Sequence, residues 1–144
     1  MLEMDAMQEV GGMPRRVIIP PAFRAAADHL KLSPAVISGD HVFLTGVTGA
    51  ASDGSIPTDP ADQFRYAFEK IGEVLREAGL SFRSVVEMTS YHVGLRNRFD
   101  LFNAVRLEFV EAPYPAWTAV EVAGLRREGA IVEIRVIASI DPDE

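Results

Sequence analysis

From Phe64 to Ala78 apolar residues recur at three- and four-residue steps, through Ala67, Phe68, Ile71, Val74 and Leu75. That is the stripe of a helix with one buried face. Asp59 is placed to cap it, Pro60 suits its first position, Asp62 favours the positive end of its dipole, and Gly79 is placed to end it. The stretch "NRFDLFNAVRLEFV" reads as a second helix, with Asn97 as its cap, Phe99, Phe102, Val105 and Phe109 among its apolar positions, and Pro113 and Pro115 beyond its end.

Elsewhere the period drops to two. In the last such run Val132, Ile134, Val136, Ala138 and Ile140 share one face, while Ile131, Glu133, Arg135, Ile137 and Ser139 share the other. This predicts a strand over 130–140, and β-rich runs predict strands over 84–94 and 116–122. "PAVISGDHVFLTGVTG" predicts a hairpin over 34–38 and 41–47, turned by Gly39 and Asp40. "PRRVIIPPAF" suggests an edge strand cut short by Pro20 and Pro21, and residues 1 to 13 read as a loose tail.

The expected order is two strands, helix, strand, helix, two strands. Both helices then cover one face of a single mixed sheet. The other face carries Ile131 and Ile137 beside Glu133 and Arg135, which suggests packing against another copy of the chain.

At 144 residues the chain suits one domain spanning its whole length. It has no cysteine, which excludes disulfides, thiolate metal sites and cysteine nucleophiles and fits a cytoplasmic protein. A net charge of −7 without a basic cluster disfavours nucleic acid as a partner. No run approaches the length of a membrane span, and the acidic start does not resemble a signal peptide. His29, His41 and His92 are widely separated and lack metal-ligand spacing, so no metal is expected. "GVTGAASDG" lacks the ending of a phosphate loop.

Five pieces, in order, resemble the RidA family, also called YjgF or endoribonuclease L-PSP-like: "SPAVISGDHVFLTG", "DQFRYAFEKIGEVLREAGLSFRSVVEMTSYHV", "FDLFNAVRLEF", "PAWTAVEVAGL" and "IVEIRVIA". The resemblance covers about residues 33 to 140, with 14–31 departing from the family's short N-terminus. It implies an α+β, chorismate-mutase-like fold, a homotrimer closed like a barrel, and small-molecule sites at the subunit interfaces, with no cofactor. Active members hydrolyse enamines and imines such as 2-aminoacrylate to a ketone and ammonia.

In those members the motif Pro-Ala-Arg supplies a guanidinium that grips the substrate carboxylate, a planar and bidentate pairing. Here the motif reads Pro115-Ala116-Trp117, and an indole has one N–H donor. The family's pocket tyrosine is matched by Leu32. Asn103 and Gly46 match pocket positions, and Glu133 matches the acid that positions water. The resemblance therefore implies an arginine-less branch, with Glu133 as the catalytic candidate and Trp117, Asn103, Gly46 and Leu32 as substrate-binding candidates.

Each residue also has a plainer reading. Trp117 fills a core or an interface; Glu133 pairs with Arg135; Asn103 satisfies backbone groups. Two functions stay open: C–N hydrolysis on a non-standard substrate, with 2-aminoacrylate disfavoured, or ligand binding and partner regulation without chemistry.

Overall fold

The computed structural model describes residues 9–10, 13–14 and 16–140. The tail expected over 1 to 13 lies largely outside the described residues; within it β1 (Glu9–Val10) pairs with β2 (Met13–Pro14). The main sheet has the order β3 (Arg16–Ile18), β4 (Ala35–Ser38), β5 (His41–Leu44), β9 (Val132–Ser139), β7 (Val85–His92) and β8 (Ala116–Glu121). A short β6 (Val47–Thr48) also pairs with β9. Every pairing is antiparallel except β7 with β8. Those two are parallel because a helix, α3 (Leu95–Arg106), carries the chain back between them.

The first long helix, α2 (Pro60–Glu77), follows its sequence signals closely. Asp59 accepts a bond from the Ala61 N–H at 3.0 Å, and Pro60 opens the first turn. Gly79 takes φ +78°, and the bonds Gly79 N to Arg76 O and Leu80 N to Leu75 O close the helix end. Phe64, Phe68, Ile71 and Leu75 are fully buried against Val132, Ile134 and Ala138 of β9 and Phe102 of α3. The even positions of β9 thus form the core, as the alternation predicts.

Three features differ from the sequence reading. First, α3 begins at Leu95, so Asn97 lies inside the first turn and caps nothing. Its cap comes from 26 and 27 residues away: Glu121 accepts from Leu95 N at 2.6 Å and Gly94 N at 2.9 Å. These two bonds hold the Glu121 carboxyl below its ordinary pKa. Second, a third helix, α1 (Arg24–Leu30), follows a 3-10 turn at Pro21–Phe23. It is too short to be stable alone, and it persists by burying Ala27 while Phe23 packs on the core. Third, the long second arm of the hairpin breaks at Thr45 and Gly46, between β5 and β6.

The sheet's other face is more open. Cross-strand neighbours share a face, so Phe43, Ile137 and Glu87 form one row, Arg135 and Thr89 a second, and Glu133 and Tyr91 a third. Arg135 pairs with Glu87 at 3.7 Å rather than with Glu133. No helix among the described residues is long and apolar enough to cross a membrane.

Candidate functional site

Trp117 stands beside Met88 in the parallel ladder, and Met88 stands beside Val136, so the indole enters the helix-covered face. Its position is fixed on several sides. The indole N–H donates to Ser90 Oγ at 2.9 Å. Phe99 stacks on it at 5.6 Å with a 7° tilt, and Phe102 lies 5.9 Å away. The guanidinium carbon of Arg106 sits 4.3 Å from the ring centroid. This geometry is a cation–π contact, strengthened where water is excluded.

Behind Trp117 the network continues inward. Ser90 Oγ lies 2.8 Å from His92 Nε2, and both residues are buried. His92 packs edge-on to Phe102 at 4.6 Å. Burial pushes its pKa down to about 4, so the imidazole is neutral at physiological pH. On α3, Arg106 donates its Nε–H to Asn103 Oδ1 at 3.0 Å. One helical turn thus joins Asn103 to the guanidinium that covers Trp117.

Glu133 lies on the opposite face. Its register partners are Tyr91 on β7 and Thr48 on β6. Its side chain passes over Gly46: a Cβ built there would meet Glu133 Oε2 at 2.5 Å and Cγ at 3.1 Å. Gly46 therefore makes room for the carboxylate, and the strand breaks where that room is needed. Glu133 is half-buried and has neither an ion pair nor a hydrogen bond among the described residues.

Within one chain the five candidates fall into three places. Trp117 and Asn103 meet through Arg106 on the helix side. Gly46 and Glu133 touch on the open side. Leu32 is exposed after α1, ahead of β4, which stands four strand spacings from β8, or ~19 Å. Sequence reading missed Ser90 and Arg106. The available signal was position: Ser90 alternates with Met88 and His92, and Arg106 lies four residues after Phe102 on the helix's buried side.

A separate cleft of about 750 Å³ lies between α1 and α2, lined by Phe23, Ala26, Tyr66, Lys70 and Arg76 among others. None of the sequence-predicted residues lines it. Among the described residues no cluster of three His, Asp or Glu side chains could hold a metal ion.

Residues 23–140 match the family model described as Endoribonuclease L-PSP. The RutC family protein YjgH of Escherichia coli strain K12 is 38% identical over 131 residues, covering 89% of this chain and 98% of that protein. The 2-iminobutanoate/2-iminopropanoate deaminase of Bos taurus is 33% identical over 112 residues, covering 76% of this chain and 80% of that one. Among solved structures, protein YJGH superposes with a TM-score of 0.80 at 35% identity, covering 88% of this chain and 96% of its own. E. coli TdcF with bound serine gives 0.69 at 32% identity, covering 74% and 86%.

Proposed function

The chain belongs to the endoribonuclease L-PSP, or RidA/YjgF, family, and from that premise we propose that it binds a small molecule between subunits and hydrolyses a C–N double bond in a substrate other than 2-aminoacrylate. Relatives named as iminobutanoate/iminopropanoate and reactive intermediate deaminases support the reaction class. The observation that carries the departure is Trp117, whose indole is packed and hydrogen-bonded at the position that the family resemblance assigns to the motif arginine.

The chemistry assigned to Glu133 is ordinary general base catalysis. The carboxylate takes a proton from water as the water oxygen attacks the C=N carbon, and passes it to the nitrogen to give a carbinolamine. It then takes the carbinolamine's hydroxyl proton and delivers it to the nitrogen as the C–N bond breaks, so that a ketone and ammonia leave. An unpaired, half-buried carboxylate is free to do this, whereas one locked to Arg135 would not be. Glu133 and Trp117 occupy opposite faces of one sheet, so one ligand touches both only if a second copy brings its own face alongside. That requirement, with the row Phe43 and Ile137 on the open face, is the reason for proposing a homotrimer with interfacial sites, acting in the cytoplasm.

Two measurements test the proposal. Light scattering is expected to give a trimer mass, and a monomer would remove the interfacial site. Ammonia release from imines generated in situ is expected for bulkier substrates, abolished in Glu133→Gln, with 2-aminoacrylate turned over at least about a hundredfold more slowly than by an arginine-bearing relative. Binding without any ammonia release would leave the fold serving as a ligand-binding module.

A further inference from the structure

Arg106 is 9% exposed, yet no carboxylate among the described residues pairs with it. Its interactions are the Nε bond to Asn103 and the contacts with the rings of Trp117 and Tyr114, the latter at 5.8 Å. The two Nη groups therefore donate to no residue of the described chain. Every fully buried side-chain nitrogen or oxygen in the described chain has a partner, so these groups are not fully shut off from the surface. Ring faces and one neutral amide oxygen replace part of the guanidinium's hydration, and its Nη edge is left open to water or to an anion. Burial correspondingly pulls its pKa down, with Tyr114 acting in the other direction.

The surroundings narrow the missing partner. Nε is committed to Asn103, which holds the fork in a fixed plane and leaves its Nη edge free for two parallel bonds to a carboxylate. Trp117 and the largely exposed Tyr114 flank that edge with ring surface. The chain is acidic overall, at −7, so its general field repels small anions and only a local cation would retain one.

We propose that Arg106 is the carboxylate anchor of this protein, displaced from strand β8 onto helix α3, and that its ligand is an organic acid with a flat, unsaturated or aromatic body. This deepens the reading above and rests on it for the position of the site. With Trp117 filling the strand position, the acid group is held on the far side of an indole. A ligand body long enough to run past the indole fits this arrangement better than a three-carbon acid.

The experiment uses the single tryptophan as its own reporter. Benzoate and its neutral isostere benzamide are titrated into the full chain while Trp117 fluorescence is followed. Benzoate is expected to give a saturable change and benzamide none. Arg106→Gln is expected to weaken benzoate by about tenfold or more, and Arg106→Lys to restore part of the loss. Equal responses to benzoate and benzamide overturn the proposal on the unmodified chain, even if the variants do not fold. Unchanged benzoate binding by Arg106→Gln overturns it as well. So does dissociation of the assembly in Arg106→Gln with no benzoate binding by the parent, since the missing anion is then a neighbouring copy's carboxylate. Benzoate binding through Arg106 with no imine turnover sinks the hydrolase reading and leaves this one. Imine turnover unchanged in Arg106→Gln does the reverse.

Discussion

The two faces of the sheet around β7, β8 and β9 solve opposite problems. On the helix side, Trp117, Ser90, His92 and Phe102 form a network in which the indole N–H, the Ser90 hydroxyl and His92 Nε2 are linked and each ring touches another. Beside it the Nη edge of Arg106 has no partner among the described residues. On the open side, Glu133 lies half-buried over Gly46 with no partner among the described residues, while its neighbour Arg135 is satisfied by Glu87. Rigid packing surrounds an available cation on one face, and an available anion stands in a cleared space on the other. The pair of unpaired charges separated by a sheet is what an interfacial site between copies would require.

The largest test of this contrast is Phe102→Ala. Phe102 is fully buried and touches Phe64 at 5.1 Å, Phe68 at 5.6 Å and both His92 and Trp117. Its truncation is expected to lower stability by ~3–5 kcal/mol in denaturant titration, against no more than about 0.5 kcal/mol for Glu133→Gln on the open face. Similar costs for the two would erase the distinction between the faces.

Next in size is the response to acid. His92 is neutral and buried, with its pKa lowered from 6.5 to about 4. The native state therefore binds fewer protons than the unfolded chain between those values. Its stabilising contribution is complete above about pH 6.5 and is lost as pH falls toward 4, by about 3 kcal/mol in all. Denaturant midpoints measured across that window should show the slope in the parent and a flatter one in His92→Asn. Identical slopes would place the acid sensitivity elsewhere.

The smallest effect belongs to the open face. Gly46→Ala brings a methyl group against the Glu133 carboxylate, the free end of a flexible side chain that can swing aside, and is expected to cost no more than about 1 kcal/mol. Adding Glu133→Ala should recover most of that loss, because the clash disappears with the side chain. Strict additivity in this double-mutant cycle would show that the two residues do not share the space.

How far the sequence reached depended on the range of the interactions involved. Helix α2 was legible from end to end, because Asp59, Pro60, the apolar stripe and Gly79 all act within a turn or two of the backbone they govern. The alternation of β9 was equally plain, since period two is a local property of an extended chain. It also placed Glu133 on the face away from the core, and the matched positions of Gly46 and Glu133 do touch. The start of α3 was not legible, because its cap is supplied by Glu121 from a different strand. Helix α1 was hidden for a related reason: it is short, uncapped by any side chain, and held by packing.

Local pattern thus carried helix α2, the alternation of β9 and, through the resemblance, the family, with Trp117 standing where that resemblance implies an arginine. Only the tertiary structure decided what surrounds Trp117. The parallel pairing of β7 with β8 set the indole beside Ser90, and the packing of α3 on that pair laid Arg106 across it. Which faces of two non-neighbouring elements meet is fixed by how the whole core closes, and no local pattern encodes it. Arg106, eleven residues earlier in the chain, therefore comes to lie over Trp117 without any local signal for it.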